Sequence, residues 1–191
     1  PMNNLTKAAG YCQDNFVHTP LRLYVEVLGG VAQLVSDGSC ALGVIGSLPL
    51  VPDGLISEPL GRIQFVTVVN PTHALAAISG AIPEAELARH VQLILTDRTA
   101  LSSGQQYAVM SPLMWRLADL SSKRAFLKAG FGWGHMPLHM VEKDLAAGDL
   151  VGIQLQNIPA AEMFMNMHLV YRKNEPPGPA GRAFISQLLI D

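Results

Sequence analysis

The chain has 191 residues, 49% hydrophobic and 15% charged, and its mean hydropathy is +0.27. Globular chains usually carry about a quarter charged residues, so this composition supports a sizeable core and excludes disorder. A net charge of −2, with 13 scattered Lys and Arg, provides no concentrated basic face and makes this polypeptide a poor DNA binder on its own.

The chain opens on PMNNLTKAAG, already the first turn of a helix, and reads as a fragment of a longer protein. Residues 3–16 suit a helix that His18-Thr19-Pro20 ends. Next, LRLYVEV (21–27) alternates and is rich in branched residues, which predicts a strand. LGGVAQLVSDG (28–38) predicts a short helix closed by Gly38. CALGVIG (40–46) is a continuous apolar run, as in a strand buried on both faces of a parallel sheet, with Cys40 a small buried residue. The uncharged stretch from Cys40 to Pro52 is too short and interrupted to span a bilayer, and two cysteines make no disulfide framework.

After the loop LVPDGL come the short segment LISEPL and a strong strand, IQFVTVVN (63–70), stopped by Pro71. IPEAELARH (82–90) has Pro83 and acids at a helix start. VQLILT (91–96) is another buried strand, followed by the polar loop DRTALSSGQQ. MWRLAD is strand-like and leads into the helix LSSKRAFLKAG, closed by Gly130. A short strand around Trp133, a turn at Pro137 and a helix to Gly148 follow. Strands at 150–155 and 165–173 precede the linker NEPPGP and a last helix, 180–190. Such alternation predicts an α/β fold with helices flanking a mainly parallel sheet. Breaks near residues 70 and 165 divide it into two lobes, residues 1–70 with 165–191 and residues 71–164. Ligands of such folds sit at the carboxyl ends of strands, in a crevice.

Motifs for chemistry are weak. HMPLH spaces His135 and His139 four apart, but Pro137 puts His135 outside the helix and no third ligand is spaced for a metal, so both read as surface or capping histidines. Ser47 lies in GVIGSL, which lacks the second glycine of a nucleophile elbow, and suits pocket lining better than attack. No phosphate-binding glycine motif is present, and no cofactor is called for. Thr96-Asp97-Arg98 sits just past a buried strand, either as polar contacts to a small ligand, with Arg98 suited to a carboxylate, or as a salt-bridged loop. Trp115 and Arg116 line the same crevice or cap the core.

Four stretches, VLGGVAQLVSDGSCALGVIG, GRIQFVTVVNPTHALA, KAGFGWGHMPLHMVEKDLAAGDLV and HLVYRKNEPPGPAGRAFISQL, together resemble the regulatory domain of LysR-type transcriptional regulators, in family order and over essentially the whole chain. Ala41 departs from the family's usual aspartate, and Thr72-His73-Ala74 from its usual D-H-P. The resemblance implies two Rossmann-like lobes similar to type II periplasmic binding proteins, with a small effector in the interlobe cleft. It also implies a first strand just before Pro1, and a winged helix-turn-helix and linker helix upstream, through which a cytoplasmic bacterial protein would bind promoter DNA.

Carried over residue by residue, the effector would meet Met2, Asn3, Asn4, Leu28, Gly29, Gly46, Ser47 and Leu48 in the first lobe. Thr96, Asp97, Arg98 and Trp133 would meet it from the second, with Trp133 facing either core or cleft. Helix starts favour an anionic effector. The resemblance further implies an antiparallel homodimer, tetrameric in the full-length protein. Leu5, Ala8, Ala9, Cys12 and Phe16 of the first helix would meet Lys123, Phe126 and Leu127 of the partner's. The rival readings are a solute-binding protein of a transport system with the same fold, and a small enzyme using Ser47, His135 or Asp97.

Overall fold

The computed structural model describes residues 2–46, 51–96 and 108–188. The chain divides into two compact units, Pro1–Gly61 with Asn166–Asp191, and Arg62–Met165. Two strands, β2 (Leu55–Val69) and β9 (Phe164–Arg172), carry the chain from one unit to the other.

The first unit contains helices α1 (Met2–Asn15), α2 (Gly29–Ser36) and α6 (Pro179–Leu188), strand β1 (Gly43–Gly46) and the unit's shares of β2 and β9. Helix α1 lies along α6. Small residues occur on both, Ala8 and Ala9 on one and Ala180 and Gly181 on the other, which suits a close approach, and Ala8 is fully buried. Strand β1 runs antiparallel to β9, with Val44 opposite Leu169. Val35, Ile45 and Val170 form the core beneath α2. Gly43 is required there, since a Cβ would come 2.8 Å from methyls of Val31 and Val35. Arg172 donates to the carbonyls of Val35 and Cys40 at 2.7 and 3.1 Å, satisfying acceptors at and beyond the end of α2.

Two expectations fail here. Leu21–Val27 is not a strand: it has no ladder partner among the described residues, and Leu21, Leu23, Tyr24 and Val25 are exposed, the last at 78%. Alternation records which residues could line a face, whereas a strand exists only when a neighbour takes up its N–H and C=O groups. Cys40 is half-buried and precedes β1 rather than lying in it, and desolvation raises its thiol pKa.

In the second unit β2 pairs with β6 (Gly134–Pro137) and β7 (Val151–Gly152), while β4 (Gln92–Leu95) and β5 (Met114–Leu117) form a separate parallel pair, joined to the residue before β6 by a single bridge, Gln92 with Trp133. A small parallel pair, β3 (Ala81–Ile82) with β8 (Gln154–Leu155), accompanies it. Helices α4 (Leu120–Lys128) and α5 (Leu138–Ala147) cover one face over Val68, Leu93, Leu127, Met136 and Val141. On the other face, short α3 (Glu84–Leu87) and the 3-10 turn Ala74–Ala77 close over Val69, Leu75, Ile82, Leu87 and Trp133. Val68 and Val69 thus serve opposite cores, as strand alternation requires.

Pairing is mixed instead of mainly parallel: β1–β9, β2–β6 and β2–β7 are antiparallel, while β3–β8 and β4–β5 are parallel. A continuous apolar run reports burial on two faces, not the direction of its neighbours. Among the described residues, no helix is long and apolar enough to cross a membrane.

Candidate functional site

The stretch Gly130–Pro137 joins α4 to β6 and positions the second unit's polar groups. Asp119 caps α4, accepting from the backbone N–H and the hydroxyl of Ser122 at 2.8 and 2.7 Å. Those bonds hold its carboxyl below the usual range. At the other end, Gly130 has φ +81°, the left-handed conformation that closes a helix. At Gly132 a Cβ would fall well inside contact distance of the Val91 carbonyl oxygen, so the chain passes β4 there only as glycine.

Trp133 follows and is fully buried, its indole N–H donating to the Leu87 carbonyl at 3.2 Å. It pairs in parallel with Gln92, at the amino end of β4. Thr96 lies four residues further along, about 13 Å at strand rise. Trp133 is therefore a core anchor. A glycine-flanked aromatic can enter either face, and of the two left open by the sequence Trp133 takes the core of Leu75, Ile82, Leu87 and Leu155.

His135 is the group that comes toward the strand ends. It lies two residues beyond Trp133 on β6, opposite Thr67 of β2. It is neither a surface nor a capping histidine. Its Nδ1 is 2.9 Å from the Thr67 hydroxyl, its ring is edge-on to Trp133, and its Nε2 is buried without a partner. Burial, with the nearby Lys123 charge second, pushes its pKa down to about 4. His139, exposed on α5, is not its partner on any helix face.

Lys123 is the second unexpected group. Its residue is only 5% exposed, and its ammonium donates to the His135 carbonyl at 2.8 Å. Burial alone lowers its pKa to about 8. The buried acid of the same face, Asp144, is occupied elsewhere, accepting from Arg124 at 2.5 and 2.7 Å and from Lys128 at 3.1 Å. Arg124's bonds, ahead of Lys128's, hold that carboxylate low.

Of the residues expected at a dimer contact, Ala8, Lys123 and Leu127 point into their own units, which leaves Leu5, Ala9, Cys12, Phe16 and Phe126 at least partly exposed. The spacing of Leu120, Lys123 and Leu127 puts the lysine on the helix's apolar stripe, a signal that marks it as buried. For the remaining ligand candidates, Met2, Asn3 and Asn4 form the first turn of α1. Leu28, with φ +50°, precedes α2, and Gly29 begins it. Gly46 ends β1, and the Thr96 N–H bonds to the Leu117 carbonyl at 2.9 Å. Ser47, Leu48, Asp97 and Arg98 lie outside the described residues.

The LysR substrate binding domain profile matches residues 9–190. The chain belongs to that family. As a LysR-type domain it resembles the HTH-type transcriptional activator AllS of Salmonella typhi, with 28% identity over 159 residues, 79% of this chain and 49% of the relative. An uncharacterized HTH-type transcriptional regulator of Mycobacterium tuberculosis is 30% identical over 159 residues, 77% of this chain and 48% of the relative. The LysR-type chain thus spans about half the length of the curated relatives it matches.

Among solved structures, the CcmR regulatory domain of Synechocystis in complex with 2-PG superposes with TM-score 0.75 at 14% identity, over 97% of this chain and 89% of that one. The MetR regulatory domain of N. meningitidis gives 0.72 at 14%, over 98% and 87%. The effector binding domain of QuiR, in complex with shikimate, gives 0.68 at 16%, over 95% and 88%. The fold is accordingly the mixed α/β fold of LysR regulatory domains, the type II periplasmic-binding-protein-like class, and the chain is an effector-binding domain of this kind.

Proposed function

We propose that this domain senses a small anionic molecule for a transcriptional regulator, and that the whole protein meets promoter DNA in the cytoplasm through a helix-turn-helix outside this chain. The match over residues 9–190 carries the reading, and the doubled length of its helix-turn-helix-named relatives supports it. A net charge of −2 suits a domain that leaves phosphate contacts to another part of the protein. The reading assigns it no catalytic role and no cofactor. An anionic effector fits the buried ammonium of Lys123, and the two neighbours crystallised with 2-PG and shikimate lend it analogy. Asn4, Leu28, Gly29, Gly46 and Thr96 stand as further contacts by resemblance. Thermal-shift and calorimetric screening across carboxylates, phosphates, neutral and cationic metabolites should find stabilisation by anions, and binding confined to neutral or cationic compounds refutes the anionic reading.

The same proposal includes a homodimer. Trp115 and Phe131, 45% and 49% exposed, stack with Phe126 at centroid distances of 5.3 to 6.5 Å. Clustered exposed aromatics of this kind suit an interface. Replacing Trp115 and Phe131 by Glu should lower the solution mass from dimer to monomer in light scattering; an unchanged mass rejects that face.

A further inference from the structure

We infer that His73 is an acid-sensitive latch of the second unit: uncharged, it caps the 3-10 turn Ala74–Ala77 and holds it against the segment after α3, and on taking up a proton it releases the turn. The latch is independent of effector sensing.

The turn is short and leans on this side chain. It contributes Leu75, fully buried, to the core of Val69, Ile82, Leu87 and Trp133. Bonds from the Ala76 N–H to the His73 carbonyl at 2.9 Å and from the Ile78 N–H to the Leu75 carbonyl at 3.4 Å close it. The Leu75 N–H donates to His73 Nδ1 at 3.2 Å, and the His73 N–H to the Asn70 carbonyl at 3.0 Å. The His73 ring then meets the His90 ring edge-on, with centroids 5.0 Å apart. His90 is itself fixed. Its N–H donates to the Leu87 carbonyl at 3.1 Å, its carbonyl accepts from the Ser111 hydroxyl at 2.9 Å, and its Nε2 lies 3.2 Å from Glu86 Oε1. One imidazole thus ties the turn to the segment whose Leu87 carbonyl holds the Trp133 indole.

A nitrogen that accepts from the Leu75 N–H carries a lone pair and no proton, so the capping form of His73 is neutral, with its hydrogen on Nε2. The imidazolium has a hydrogen on both nitrogens, which would set Nδ1–H against the Leu75 N–H. The ring therefore cannot be charged and cap the turn at once. Burial, and second the neighbouring His90, push its pKa below the ordinary histidine value. Among the described residues, the charged groups on its flank come from α3 and the residues after it. They are His90 and, behind it, Glu86, which lies 3.2 Å from both His90 and Arg89. The turn itself and Asn70–Thr72 before it carry no ionisable side chain. The closed form holds its proton less tightly than the released one. The latch's stabilisation is therefore fully present above pH 6.5 and is lost as pH falls from 6.5 through the lowered value. Release strands the Leu75 N–H and uncovers the core over Trp133.

NMR of the histidine rings from about pH 8 to about pH 5, with amide exchange corrected for its intrinsic pH dependence, tests the latch. At neutral pH His73 should be the Nε2–H tautomer, and it should titrate below 6.5. Protection of the Leu75 amide should be level above pH 6.5, then fall by up to roughly tenfold per pH unit until the closed form itself takes up the proton. The Trp133 indole N–H should follow it, whereas the Leu93 amide, bonded to the Trp133 carbonyl, should respond less. His73→Asn keeps a capping oxygen and has nothing to protonate, so the response of Leu75 should shrink to that of Leu93, with circular dichroism unchanged. A hydrogen on Nδ1 at neutral pH, Leu75 protection that ignores the His73 titration, or a His73→Asn chain with the parent's response each overturns the latch. Equal loss of protection at Leu75 and Leu93 means global acid unfolding instead of local release, and overturns it as well. Should His73→Asn fail to fold, the tautomer and the Leu75–Leu93 comparison in the parent decide the matter.

Discussion

Replacing Lys123 by Met removes a buried charge while keeping the length of the side chain. Burial displaces the Lys123 pKa from 10.5 to about 8, and at 1.36 kcal/mol per unit the charged form costs the fold about 3.4 kcal/mol. The charge-assisted bond to the His135 carbonyl returns about 1.5–3 kcal/mol of that. Lys123→Met should therefore be neutral to about 2 kcal/mol stabilising at pH 7. The folded lysine holds its proton less tightly than the unfolded one, so between pH 8 and 10.5 the unfolded chain binds more protons and stability rises with pH. From pH 7 to 9.5 the parent should gain about 2 kcal/mol from this group, and the variant nothing. Urea denaturation of both proteins at the two pH values measures the difference, in which the other titrating groups cancel. A variant clearly less stable at pH 7, or a parent–variant difference that does not change by pH 9.5, would refute the argument that Lys123 is a buried cation whose charge costs the fold stability.

His135 carries the opposite window. Its folded pKa of about 4 lies below the ordinary 6.5, so stability is lost as pH falls from 6.5 toward 4, by about 2 kcal/mol at pH 5. His135→Gln should flatten that acid limb in thermal melts, and an unchanged limb would place the acid sensitivity elsewhere. Gly132→Ala should cost more than about 4 kcal/mol or prevent folding, because the Val91 carbonyl is backbone and cannot step aside; near-parent stability in denaturant titration contradicts the close passage. Asp144→Asn should cost about 2–3 kcal/mol through the loss of its clamp on Arg124 and Lys128, with a weaker effect at high salt because both cations are about two-fifths exposed. A cost independent of salt would point to packing instead of charge.

By itself, the sequence determined the family, the alternation of elements and most helix ends. Gly130 and Gly148 close α4 and α5 in left-handed conformations, because a helix-closing glycine acts through local backbone geometry. It did not determine pairing. Leu21–Val27 has the pattern of a strand without being one, and the apolar run at 40–46 is antiparallel to β9, since ladders depend on what folds alongside. The candidate site divides the same way. Thr96 was legible as a strand end. The burial of Trp133 and His135 was not, because period-two alternation puts the two on one face but does not tell which face is core. Lys123 was misplaced for a related reason. Its charge suggested a surface, whereas its stripe position beside Leu120 and Leu127 drew it beneath α4, where only the tertiary structure brings its ammonium to the His135 carbonyl.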